Sequence, residues 1–418
     1  MLGKLLLASI LTGIISGFFM TFYEMLITFF TYLFFFGNPL LTIPSLPVWY
    51  LYALPTIAIF FVNYLVSKDN YIREYALNEI AESVMQNKMV LTIKTLFLKI
   101  IASSLSISTG FMVGTEGPSA GVGAMIAYQI HKLFNLPAML VKMMISVGAS
   151  SGVAAIFVSP LTGIAFSIET IAYQFLKQYV GYLILSSVIA FSISTYFLDT
   201  IFAYHFFGRK LDYTFMLPIM LFIPFITAFI YFYLFFKKRL LHLIDLRIFK
   251  NFHPYRNYIF AVIGGGVVGT ILLLEPLAAF SGKEVVIYLL NEENHIPFVV
   301  IFSIILLRII GTTVSIYSNA VGGVFLPLMS IGALIGFAFG ELLLQFYPLE
   351  LESFYFAAVG ASVFMGVIMK LPLTALVLAM ETTFDYNVVI ATGIGVVLVA
   401  YFSNFHFKIR KKNVNRAK

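Results

Sequence analysis

GASSGVAAIFVSPLTGIAFSIE, Gly148 to Glu169, and GASVFMGVIMKLPLTALVLAME, Gly360 to Glu381, are two versions of one segment. Aligned without a gap at an offset of 212, they agree at 8 of 22 positions, among them Pro160 with Pro372, Thr162 with Thr374 and Glu169 with Glu381. Upstream, GTEGPSAGVGAMI, Gly114 to Ile126, lies over GVFLPLMSIGALI, Gly323 to Ile335, at an offset of 209, and shares Gly114, Pro118, Gly123, Ala124 and Ile126. Near-equal offsets in the same order point to one duplication, and a duplication decides the architecture before any motif does. The chain divides into a first repeat over 1–205, an apolar segment and basic linker over 206–256, a second repeat over 257–407 and a short basic tail over 408–418, with no cytosolic domain expected after it.

The solvent of this fold is lipid. Of 418 residues 61% are hydrophobic and 11% charged, against roughly 25% charged in a soluble domain. No Asp, Glu, Lys or Arg occurs from Met25 to Ser67, Met143 to Ile168, Tyr213 to Phe236 or Ile309 to Gly340, and a bilayer-spanning helix needs about 20 such residues. These runs exclude a soluble enzyme and predict an all-α polytopic membrane protein. The opening MLGKLLLASILTGIISG has no small-residue cleavage site and stays apolar past Tyr23, so it reads as retained rather than as a signal peptide.

The net charge of +7 is concentrated in two clusters, Lys237, Lys238, Arg239, Arg247, Lys250 and Arg256, and Lys408, Arg410, Lys411, Lys412, Arg416 and Lys418. Neither is interleaved with aromatics along a folded face, so nucleic acid is not an expected partner. By the positive-inside rule both belong on the cytoplasmic side of a cell membrane. There is no cysteine, hence no disulfide, thiolate metal site or thiol nucleophile.

Duplicated halves broken by Gly and Pro at matching places point to a transporter, because interrupted helices aim their ends at a ligand near the midplane. Whether the halves run parallel or inverted is left open by the residues. Each paired segment begins Gly-x-x-x-Pro and continues as helix. Pro fits a first turn, where its missing N–H has no partner to lose. Both segments therefore predict helix N-termini inside the apolar layer, whose free N–H groups and partial positive charge favour an anion. One terminus contributes about 0.3–2 kcal/mol, whereas the idealised Born cost of burying a bare ion is on the order of 20 kcal/mol. Several converging ends are required, and the repeat supplies one near Thr115 to Pro118 and one near Val324 to Pro327.

Glu116 breaks the repeat, because its partner is Phe325. A carboxylate there either takes the anion's place while ionised and leaves it when protonated, or merely caps a helix as acids in first turns do. Glu169 and Glu381 match each other and read as a shared structural pair, and Glu24 and Glu275 as packing or interface residues. The six histidines form no H-x-x-H or H-E-x-x-H spacing, so neither a metal nor a cofactor is expected. No G-x-S-x-G or Walker A pattern supports an enzyme or an ATP-driven pump.

At these residues the chain resembles the CLC family of chloride channels and chloride/proton exchangers, in its prokaryotic form without a cytosolic regulatory domain. GTEGP, Gly114 to Pro118, is similar to the family's G-x-E-G-P motif, and GGVFLP, Gly322 to Pro327, to its G-x-F-x-P motif. The resemblance implies a homodimer of inverted-repeat subunits, each with its own anion pathway. It makes Glu116 the external gate and proton carrier. Backbone N–H groups of Val324 and Phe325 would coordinate a central anion, and those of Thr115 and Gly117, flanking the gate, an external one.

Three places depart from the family pattern. The first anion motif should fall within Arg73 to Ser83, where Tyr75 or Asn78 stands near the expected serine. Thr170 occupies the position of the internal proton-transfer glutamate of many exchangers. The late tyrosine has no clear match, Tyr401 being too early. The resemblance therefore implies chloride transport, by exchange with protons or as a passive channel, with a fluoride/proton exchanger as a further possibility. A membrane scaffold without flux is the reading from another class. The apolar segments Val180 to Phe197, Phe215 to Phe236 and Thr374 to Val399 are the expected dimer surfaces.

Overall fold

Both Gly-x-x-x-Pro segments open helices. The computed structural model describes residues 2–73, 92–171, 176–198, 216–244, 256–289, 296–346 and 353–416. Its main helices are α1 (Leu2–Phe35), α2 (Val48–Lys68), α3 (Ile93–Ser108), α4 (Glu116–Leu133), α5 (Val141–Phe157), α6 (Pro160–Thr170), α7 (Leu176–Ser194) and α8 (Met216–Ile244). They continue with α9 (Arg256–Leu274), α10 (Lys283–Leu289), α11 (Phe298–Tyr317), α12 (Phe325–Phe346), α13 (Ser353–Met369), α14 (Pro372–Thr383) and α15 (Asn387–Arg416). Among the described residues no strand occurs, only an isolated antiparallel bridge between Gly114 and Gly323.

Seven described helical segments are long and apolar enough to cross a bilayer. Ala138–Phe157 and Phe325–Phe346 are 94% and 83% buried over their most apolar windows, whereas Val48–Lys68 and Met216–His242 are 33% and 39% buried. The first two therefore form the centre and the latter two the periphery. Small residues make the centre possible. α4 lies against α5 and α12 against α13, and a Cβ on Gly123 would strike the Gly148 carbonyl just as one on Gly332 would strike that of Gly360. Such glycine contacts let helix backbones meet where lipid supplies no hydrophobic drive between helices.

The repeats meet each other reciprocally. Ser106 Oγ accepts the Val321 N–H at 3.0 Å, and its counterpart Ser315 Oγ accepts the Met112 N–H at 3.1 Å. The Glu169 carboxylate takes the N–H groups of Leu373 and Thr374 at 2.7 and 2.9 Å. Glu381 takes those of Leu161 and Thr162 at 2.9 and 2.7 Å, together with the Ser159 hydroxyl. Contacts in which i meets j′ and j meets i′ require an approximate two-fold axis. Each glutamate lies near the C-terminal end of its own helix and caps the start of the other, so α6 and α14 run antiparallel.

The capping pair yields a stability prediction. Glu169→Ala and Glu381→Ala each remove an acceptor from two helix-terminal N–H groups and a threonine hydroxyl, a loss of roughly 1–3 kcal/mol. Both are expected to lower the unfolding temperature in detergent by similar amounts; a neutral result at either position would argue against equivalent roles.

Lys237, Lys238 and Arg239 lie within α8, which runs to Ile244. The backbone of α15 continues through the basic tail to Arg416. Lys and Arg are good helix formers, and cations near a helix C-terminus complement its dipole. Arg247, Lys250 and Lys418 lie outside the described residues.

Candidate functional site

Two helix N-termini face one another across the Gly114–Gly323 bridge, whose N–H groups donate to the opposite carbonyls at 2.8 and 2.7 Å. α4 starts two residues after Gly114 and α12 two residues after Gly323. Thr115 is the N-cap residue of α4, with no side-chain cap, and its carbonyl accepts the Ser119 N–H at 3.0 Å. Val324 holds the corresponding place before α12, its carbonyl accepting the Leu328 N–H at 3.0 Å.

The Glu116 side chain crosses between the repeats. Its Oε1 accepts the backbone N–H of Phe325 at 2.5 Å. Oε2 is buried with no hydrogen-bond partner among the described residues. Glu116 is 3% exposed and Phe325 0%, and the Phe325 ring packs on Phe157 at 5.0 Å between centroids. The carboxylate packs closely between two glycines: a Cβ on Gly323 would collide with Oε1, and one on Gly114 with Oε2. The same Cβ on Gly323 would stand 3.0 Å from the Gly117 nitrogen, which shows how closely the first turn of α4 approaches.

A negative group thus sits on the N-terminus of a helix that is not its own. Such an end carries about half a positive charge and offers N–H groups to anions. The carboxylate interacts with its own backbone N–H at the start of α4, and the bond from Phe325 adds a reach to α12 that a simple cap of its own helix lacks. Leaving Oε2 without a partner costs about 1–3 kcal/mol, which offsets part of what the bond to Oε1 contributes.

Glu116, Thr115, Gly117, Val324 and Phe325 are brought together. Thr170 is not part of this cluster; it ends α6, where its hydroxyl donates to the Phe166 carbonyl at 2.7 Å. Tyr75 and Asn78 lie outside the described residues. Tyr401 is 63% exposed on α15. Among the described residues no group of three or more His, Asp or Glu is arranged to hold a metal ion.

Sequence reasoning passed over Lys99 and Arg308, which are repeat equivalents at the offset of 209 and both 0% exposed. Each stands on the helix preceding one of the facing termini, Lys99 on α3 and Arg308 on α11. A Cβ on Gly121 of α4 would stand 3.3 Å from Lys99 Nζ. Arg308 donates to the carbonyls of Ala278, Ala279 and Ser281 at 3.2, 3.0 and 2.9 Å. Buried cations are retained only with compensation, which Glu284 and the three carbonyls supply to Arg308. Matching charge type at one repeat offset was the available signal.

A cavity of about 390 Å³ reaches this cluster, lined by Thr115, Ile156 and Leu326 and also by Glu24, Lys283 and Glu284.

A family model described as voltage gated chloride channel matches residues 56–404. The chain belongs to that family, the CLC family. Within it, the H(+)/Cl(-) exchange transporter ClcA of Salmonella typhi is 26% identical over 334 residues, covering 74% of this chain and 66% of that protein. The match therefore spans just under two thirds of that relative's length. The solved structure of a slow cyanobacterial Cl-/H+ antiporter superposes with a TM-score of 0.83 at 20% identity, covering 95% of this chain and 93% of that one. A CLC-type fluoride/proton antiporter superposes at 0.75 with 20% identity, covering 96% and 95%. These likenesses establish the CLC fold, and the relatives are transporters rather than enzymes.

Proposed function

We propose that this CLC protein moves chloride across the cell membrane in exchange for protons, with Glu116 as gate and proton carrier. The observation carrying this reading is the Glu116 carboxylate on the Phe325 N–H, the seat an anion would otherwise take. While ionised, the carboxylate occupies the Phe325 N–H at the start of α12 and so blocks that terminus. When it is protonated its charge is gone and its hold on the helix terminus weakens, so it swings out and an anion takes the amides. Departure of the anion lets the deprotonated carboxylate return. One occupant at a time links the two flows.

The exchange transporter and antiporter relatives support protons as the counter-substrate. A passive channel is the second reading, favoured by Thr170, because a hydroxyl there supplies no carboxylate to bring protons from the inner side. Fluoride as the anion is favoured by the likeness to the fluoride/proton antiporter. We further infer inverted halves, since α6 and α14 are antiparallel repeat equivalents. A homodimer formed through exposed apolar side chains such as Ile184 and Val188, and basic segments on the cytoplasmic side, complete the proposal.

Coupled flux measurement in proteoliposomes is the test. An imposed chloride gradient is expected to drive protons uphill. Chloride flux without proton movement would replace the exchanger with a channel, and absence of any anion flux would leave the scaffold.

A further inference from the structure

The cavity leading to Thr115 and Leu326 contains an ion pair that the gate mechanism does not use. Lys283 Nζ stands 3.0 Å from Glu24 Oε1, joining α10 to α1 across the two repeats. Both side chains line the cavity and remain reachable, at 31% and 17% exposure. Its volume of about 390 Å³ equals that of roughly a dozen liquid waters, so a small anion can enter with much of its hydration shell.

The backbone presenting Lys283 is rigidly built. Phe280 and Gly282 both have positive φ, 59° and 104°. A Cβ on Gly282 would run into Arg308 Nη2 and Ser330. The buried Arg308 guanidinium holds the carbonyls of residues 278, 279 and 281. The Phe280 N–H donates to the Gly110 carbonyl at 3.2 Å, and its ring meets Phe35 at 5.4 Å. The cation is therefore aimed by a fully buried network rather than carried on a loose loop.

We propose that Lys283 and Glu24 form an outer anion-exchange station, where Lys283 docks the transported anion and Glu24 is the tethered carboxylate that this anion must displace. The arrangement repeats in side chains what Glu116 and the Phe325 amide do with backbone deeper in. Of the other charged groups at this mouth, Glu284 sits beside the Gly282 N–H, its Oε2 accepting at 3.3 Å. Glu284 also faces Arg308 and Lys283 electrostatically, while Glu24 makes the 3.0 Å ion pair with Lys283. The inference rests on the anion-transport reading above.

Its test is chloride flux through the full-length chain in liposomes, measured against chloride concentration on each face at one fixed pH, with ionic strength held by an impermeant salt. Removing or unmasking one unit charge in a partly hydrated cavity is expected to move half-saturation by roughly three- to tenfold. Lys283→Gln should raise half-saturating chloride on one face only, leaving the maximum rate within about twofold. Glu24→Gln, isosteric and still able to hydrogen-bond Lys283, should lower it, and Lys283→Arg should keep the parent value. Unchanged half-saturation in Glu24→Gln and Lys283→Gln, or shifts of the same sign in both, as loss of a structural brace would give, overturns the proposal. A parent protein that moves chloride while these variants stay unmoved sinks only this inference. A parent protein that moves no anion sinks the transport reading and the station with it.

Discussion

Glu116→Gln is expected to abolish proton movement while anion flux continues. Gln matches Glu in shape, keeps a carbonyl oxygen for the Phe325 N–H and cannot cycle between charged and neutral forms. The physical loss is therefore confined to titration. In the parent protein, acidification favours the neutral carboxyl, which vacates the anion's seat, so exchange should quicken as pH falls. In Glu116→Gln that acceleration should vanish together with uphill proton transport. Glu116→Ala, which empties the seat altogether, should likewise pass anions without protons. A glutamine variant that still pumps protons at the parental ratio would remove Glu116 from the proton path, whatever became of its anion flux.

Gly323→Ala should have an effect nearly as large without touching a titratable group. A Cβ there falls on Glu116 Oε1 and within 2.7 Å of the carboxyl carbon. Overlap of this degree cannot be absorbed by a close-packed interior. The carboxylate must leave its place on the α12 terminus, or the Gly114–Gly323 bridge must open. Proton-to-anion coupling should fall severalfold while folded protein is still recovered. Gly266→Ala is the control, since a Cβ at that position meets nothing within 4 Å, and it should leave coupling unaltered. Parental coupling in Gly323→Ala would mean that the seated carboxylate is not the species that links the two flows.

The paired predictions at Glu169 and Glu381 probe the architecture rather than the chemistry. Their carboxylates serve the starts of α14 and α6, so their loss should be felt as stability. Observing equal destabilisation with coupling intact would separate the two-fold framework from the gate that breaks it. Glu116 is where the symmetry fails: Phe325, its repeat equivalent, has no acceptor to offer the α4 terminus, and one side of the site is therefore aromatic and the other acidic.

Much of this was legible in residue order alone. Repeated Gly-x-x-x-Pro segments placed two helix starts near Thr115 to Pro118 and near Val324 to Pro327, because Pro fixes φ locally and Gly lets the chain turn, and neither needs a tertiary partner to do so. Charge-free runs announced the lipid solvent, since transfer free energies depend on composition rather than on contacts. The odd carboxylate at Glu116 stood out against its own duplicate. Only the folded chain decided which terminus that carboxylate serves, because a hydrogen bond from residue 325 to residue 116 is a matter of spatial direction. The same holds for Glu24 and Lys283, which carry no motif and become a pair only when α1 and α10 meet. Lys99 and Arg308 lie between these cases. Their shared offset is written in the chain, but two cations in apolar helices gain meaning only once burial shows that neither side chain has escaped to water.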